Sequence, residues 1–119
     1  MKYALLVLAI AALGCSAGSM SDGTVCDASA AAGINIGVRD SISGALVGDG
    51  SHIVAREGTF ADSLTASGSG PYGLVFERAG TYAVTVTQTG YKPWTQAGVV
   101  VTKGACHVKG VALTALLQR

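Results

Sequence analysis

The chain has 119 residues, with 8 basic and 7 acidic side chains and a formal charge of +1. One domain is the expectation at this length. Cations scattered singly over a near-neutral chain exclude the dense basic face that nucleic-acid binding needs.

Met1 to Leu13 holds one early cation, Lys2, and then an unbroken apolar run. That is the layout of a secretory signal, and it is shorter than the roughly 20 apolar residues of a spanning helix. Its end, Ala12-Leu13-Gly14-Cys15, resembles the lipobox of bacterial lipoproteins. The resemblance implies a signal peptide over 1–14 and an acylated Cys15 as the mature N-terminus. Lipoboxes usually carry a larger aliphatic residue where Ala12 stands, and a signal-peptidase cut after Ala17 is the alternative. That cut would yield a soluble secreted or periplasmic protein. Ser16, not aspartate, follows Cys15, which by the same resemblance implies the outer membrane, facing periplasm or exterior. Several acyl chains on one residue anchor stably, whereas a single chain binds only marginally. Residues 16–25 are small and polar and read as a flexible tether reaching about 15–20 Å.

From Gly33 the chain alternates, with Ile34, Ile36 and Val38 on one side, and period two with β-branched residues predicts a strand. Asp40-Ser41-Ile42-Ser43-Gly44 has turn chemistry. His52–Arg56 is a short strand, and Gly58–Ser67 a weaker one. Ser67-Gly68-Ser69-Gly70-Pro71 is a loop, then Tyr72, Leu74 and Phe76 alternate. Glu77-Arg78-Ala79-Gly80 turns the chain, with Glu77 and Arg78 expected as a solvated pair of little worth. Tyr82, Val84 and Val86 alternate against threonines in the clearest half-buried strand. Gly90-Tyr91-Lys92-Pro93-Trp94 is an aromatic loop, Val99–Thr102 a strand, and His107–Leu117 the closing segment. That last segment reads as strand or as a short helical stretch; strand is preferred, because Gly110 and Val111 disfavour a helix start. Seven short strands joined by Gly-rich turns predict an all-β fold, a single seven-stranded antiparallel β-sandwich over 26–119.

Cys26 and Cys106 bracket that domain. In an oxidising compartment they are expected to pair. A loop of about 80 residues closed this way is worth roughly 4–5 kcal/mol in the chain-entropy account, a useful staple for a small core.

Three blocks carry a family resemblance: Ile34-Asn35-Ile36-Gly37-Val38-Arg39-Asp40-Ser41-Ile42-Ser43-Gly44, Glu77-Arg78-Ala79-Gly80-Thr81-Tyr82-Ala83-Val84-Thr85-Val86, and Gly90-Tyr91. Their order resembles the carboxypeptidase regulatory-like domain, a prealbumin-like (transthyretin-like) sandwich also similar to immunoglobulin-like folds. The closing Cys106-His107-Val108, paired with Cys26, looks like a bacterial lipoprotein version. The family often has Pro where Ala79 stands and a longer turn than Ser67–Pro71. The resemblance implies a folding or binding module rather than a peptidase, and fold alone assigns no activity.

Signals for chemistry are sparse. Gly68-Ser69-Gly70-Pro71-Tyr72-Gly73 spells a glycine-rich phosphate motif, but a strand follows it where a helix is needed. His52 and Glu57 lack metal-site spacing, and no nucleophile elbow appears. Hydroxyisourate hydrolases of the prealbumin-like fold carry a C-terminal Tyr-Arg-Gly-Ser signature, whereas this chain ends Leu116-Leu117-Gln118-Arg119 and has no His in its first strand. The expectation is therefore a non-catalytic module without metal or cofactor, and without nucleic acid. Its partners are the membrane, through the N-terminal lipid, and an envelope protein or extracellular ligand. The alternatives are an accessory subunit of an envelope transport or assembly complex, or a small hydrolase using His52 or His107. The candidate binding residues are Tyr91, Lys92 and Trp94, an aromatic platform or else a lid on the core, and His107, expected at a strand edge with one ring nitrogen bonded locally.

Overall fold

A computed structural model describes residues 26–119. The expectations for the signal peptide, Cys15 and the tether lie outside the described residues. Within them the chain is all-β and forms two sheets, an arrangement compatible with a β-sandwich. The smaller sheet has the order β4-β1-β8, from β4 (Tyr72–Leu74), β1 (Ile34–Asp40) and β8 (Val111–Leu117). The larger has the order β3-β2-β5-β6-β7, from β3 (Phe60–Thr65), β2 (His52–Glu57), β5 (Gly80–Thr87), β6 (Trp94–Lys103) and β7 (Val108–Lys109).

Alternation decides which side chains meet. Ile34, Ile36 and Val38 of β1 join Tyr72, Leu74, Ala115 and Leu117 from the same sheet. They pack on Ile53, Ala55, Tyr82, Val84, Val86, Val99 and Val101 of the other. Each fully buried Val or Ile contributes roughly 1.5–3 kcal/mol relative to exposure.

The expected seven antiparallel strands become eight, and one pairing is parallel. The closing segment splits at Gly110, with β7 pairing to β6 in one sheet and β8 to β1 in the other. The chain crosses between sheets there, and it passes close to backbone: a Cβ on Gly110 would meet Ala32 O at 2.9 Å. β8 runs parallel to β1 through the register Ile34↔Val111 to Asp40↔Leu117. The stretch whose sequence also suits a helical turn is strand, because β1 offers it a full hydrogen-bonding edge.

Two further expectations are corrected. Phe76 does not continue the inward row of Tyr72 and Leu74, and it is 51% exposed. Asp62 accepts the Val75 N–H at 2.8 Å, and Val75 turns at φ 47°, so Val75 takes the buried place. Trp94 opens β6 rather than ending a loop. A bulge between Tyr82 and Val84, with Gly98 at φ 70° on the facing strand, breaks the alternation that would have revealed the early part of β6.

Glu77 and Arg78 do not pair with each other either. Arg78 donates to Glu57 at 2.8 Å, and its guanidinium lies 3.6 Å over the Phe60 ring. Tyr82 donates its hydroxyl proton to Arg78 O at 2.7 Å and accepts from Arg78 Nη1 at 2.9 Å. The other Glu57 oxygen accepts the Thr81 N–H at 2.7 Å, a bond that with Arg78 holds this carboxyl below its usual range. This bracket explains the Gly-x-Tyr motif. A Cβ on Gly80 would meet Glu57 Oε1 at 2.6 Å, so the carboxylate can reach the backbone only over a glycine. Gly80→Ala should push the Glu57 carboxylate off the Thr81 N–H and cost about 1 kcal/mol of stability. Urea unfolding checks this, and the same substitution in a Glu57→Ala background should lose most of its effect.

Candidate interaction surfaces

The two ends of the domain are built differently. At one end, Cys26 and Cys106 form a disulfide with Cα atoms 5.2 Å apart. Beside it His107 is clamped between two carboxylates. Its Nε2 meets Asp27 Oδ1 at 3.0 Å, and its Nδ1 meets Glu77 Oε2. Two acceptor-only partners require two N–H donors, so the ring is held as imidazolium. Glu77 is itself fixed by backbone, accepting from Ala31 N at 2.8 Å and Val108 N at 3.2 Å. The Glu77 contact, then the Asp27 contact, raises the His107 pKa above its ordinary 6.5. The Ala31 N–H, with His107 in support, lowers that of Glu77. Ser29, with His107 in support, lowers that of Asp27. The expectation of one locally bonded ring nitrogen is corrected: both nitrogens are engaged, by residues distant in the chain. An imidazolium with both N–H groups bound has no lone pair for a metal.

The opposite end holds the turn after β1 and the loop between β5 and β6. Asp40, almost fully buried, accepts the Ile42 and Ser43 N–H groups at 2.8 and 2.9 Å through one oxygen. Through the other it accepts the Tyr91 hydroxyl at 2.8 Å. The Ser43 N–H is the strongest of the contacts that hold this carboxyl far below the usual carboxylate range. Asp40 in turn pushes the Tyr91 hydroxyl up. Arg119 closes the set, 3.5 Å from Asp40 and 4.8 Å over the Tyr91 ring. The turn so fixed presents Ile42 at 94% exposure.

Three clefts open at this end. One of about 310 Å³ lies under the Ile42 turn, between Asp40, Ser41, Ile42, Leu117, Gln118 and Arg119. A second of about 310 Å³ lies between Gly50, His52, Thr87, Gln88, Thr89 and Tyr91. The third, about 260 Å³, lies between Lys92, Pro93, Trp94, Leu116 and Gln118. Lys92 and Trp94 thus line one cleft, and Tyr91 lines another with His52. His107 is not with them. β5 runs from Gly80 at the disulfide end to Thr87, the partner of His52, so a strand length of about 20–25 Å separates the histidines. Trp94 packs partly against the core, and the Tyr91 hydroxyl is taken by Asp40, so neither is a free platform.

Sequence reasoning takes Asp40 as turn chemistry and passes over Ile42. An Asp able to bond the next two or three N–H groups, in Asp40-Ser41-Ile42-Ser43-Gly44, is the available signal. The exposure of Ile42 has none, because it depends on where the turn points. No protein-family model and no curated protein sequence matches the chain.

The clamp has a defined pH window. A raised histidine stabilises fully below its ordinary 6.5 and loses that contribution as pH rises through its folded value. Carboxylates lowered from 4.5 and 3.8 contribute fully above those values and lose it as pH falls through their folded values. The stability advantage of the wild-type chain over His107→Gln should therefore be greatest between about pH 4.5 and 6.5 and fade as pH rises through the raised histidine value. Urea midpoints across that range measure it; a difference that grows toward alkaline pH contradicts the clamp.

Proposed function

We propose that this chain is a lipid-anchored β-sandwich of the carboxypeptidase regulatory-like kind, acylated at Cys15, that works as a non-catalytic binding module of the bacterial outer membrane. The observation that carries the reading is the polarity of the domain. Cys26, where the tether from Cys15 arrives, stands at one end. The exposed Ile42 turn and the three clefts stand at the other. A tether of about 15–20 Å then keeps the disulfide end near the lipid surface and aims the Ile42 end away from it.

The chemistry supports interaction over turnover. His107 is committed to two carboxylates and His52 lies a strand length away, so the two imidazoles cannot act on one substrate. A rigid scaffold presenting loops is suited to recognition. A disulfide between the domain's first and last segments fits an oxidising compartment. The three blocks that carry the resemblance touch one another or their neighbours in the fold. Asp40 of the first block bonds Tyr91 of the third, and Gly80 and Tyr82 of the second meet Glu57 and Arg78.

Mass spectrometry of the native protein should find acyl chains on Cys15. An unmodified N-terminus at Gly18 would remove the anchor. Pull-down from envelope membranes with the wild-type chain should retain a partner that Ile42→Asp loses while its unfolding curve is unchanged. A partner retained equally by both chains places recognition elsewhere.

A further inference from the structure

β8 is the last strand of the smaller sheet, and among the described residues no strand is hydrogen-bonded to its outer edge. The groups along that edge follow from its pairing. Val111 donates its N–H to Gly33 O at 2.8 Å, and Leu117 O accepts the Ser41 N–H at 2.9 Å. In a parallel ladder alternate residues face the neighbour. Val111, Leu113, Ala115 and Leu117 therefore spend their backbone groups on β1. Ala112, Thr114 and Leu116 turn theirs to the free edge, three N–H and three C=O groups along one strand. Beyond them Gln118 O is already taken by the Lys92 N–H at 2.6 Å.

Exposed edges are normally blunted by charge, proline or a bulge. The seven residues Val-Ala-Leu-Thr-Ala-Leu-Leu of β8 contain no charge and no proline, and the register with β1 is unbroken. The edge is also self-complementary. A two-fold axis through Thr114 sets Thr114 against its own copy and Ala112 against Leu116. Every edge-facing N–H and C=O then lies in a hydrogen-bonded antiparallel pair. Moving the axis to Leu113 or Ala115 pairs only two of the three edge-facing residues with one another and sends the third past the strand end. The side chains agree with the first register. Ala112 faces Leu116, Leu113 faces Ala115, and the paired threonines can bond through their hydroxyls. Small residues meet large ones on both sides of the sheet. Lys109 and Arg119 come opposite each other just outside the ladder, where Asp40 already attends Arg119.

We propose that β8 is a self-association site, pairing antiparallel with β8 of a second copy about an axis through Thr114 and joining the two three-stranded sheets into one. The inference does not rest on the lipid anchor or on the Ile42 end. A single strand pair is at the small end of specific interfaces, so the dimer is a dissociable one.

Cross-linking of the full chain tests it. A hydrogen-bonded antiparallel pair places Cα atoms about 5.5 Å apart, inside the disulfide range of about 4.4–6.8 Å. Thr114→Cys should therefore form a symmetric disulfide dimer on the order of tenfold or more faster than Ala112→Cys or Leu116→Cys alone. In a mixture, the Ala112→Cys and Leu116→Cys chains should cross-link to each other. Adding Leu116→Lys, at a side chain 50% exposed, should slow dimerisation of the Thr114→Cys chain to the rate of Ala112→Cys alone while leaving unfolding unchanged. Equal rates at the three positions, or a Thr114→Cys chain that couples to another protein and not to itself, would overturn the proposal.

Discussion

β1 and β8, the first and last strands of the domain, lie side by side in parallel over seven residue pairs. Nearly the whole domain is the loop that this contact closes. Such a pairing costs the most chain entropy of any in the fold, because closure entropy grows with loop length, and parallel neighbours need a long crossover. The Cys26–Cys106 disulfide closes nearly the same loop, from positions shortly before each of the two strands. It removes from the unfolded ensemble the freedom that the β1–β8 ladder would otherwise have to overcome. The covalent bond and the ladder are thus one device. With β1 seated between β4 and β8, its inward Ile34, Ile36 and Val38 become the floor on which the larger sheet packs.

The ends of the domain are secured by polar groups that reach across sequence. Glu57, Arg78 and Tyr82 fasten the turn before β5 to β2, and Asp27, His107 and Glu77 fasten the segment beside the disulfide. Asp40, Tyr91 and Arg119 fasten the other end. This division settles how the titratable and aromatic residues are employed. Most of those that attract notice in the sequence are occupied in holding turns to strands. What remains open is backbone and apolar: the Ile42 turn, the clefts beside Tyr91 and Trp94, and the free edge of β8.

Much of the strand pattern is legible in the sequence, for a simple reason. Where one face is buried and the other wet, β-branched and aromatic residues must alternate, as in Ile34-Asn35-Ile36-Gly37-Val38 and Tyr82-Ala83-Val84-Thr85-Val86. The pattern misleads where local geometry breaks the period. Phe76 continues the count of Tyr72 and Leu74, but Asp62 captures the Val75 backbone and rotates the chain. The first half of β6 lacks alternation because of the bulge at Gly98, so Trp94 reads as loop. Glu77 and Arg78, adjacent in the chain, read as a pair; their side chains leave the turn toward different partners.

Composition, spacing and alternation are enough to establish a β domain bracketed by two cysteines, with its turns near Asp40, Gly80 and Gly90. These are local matters, governed by side-chain period and by which residues tolerate tight turns. Three features needed the folded chain: β8 lies parallel to β1, Gly110 carries the chain from one sheet to the other, and His107 is held between Asp27 and Glu77. Those depend on which distant segments meet. A strand's pattern states that one of its faces must be buried, and it carries no mark of which neighbour will lie along its edge.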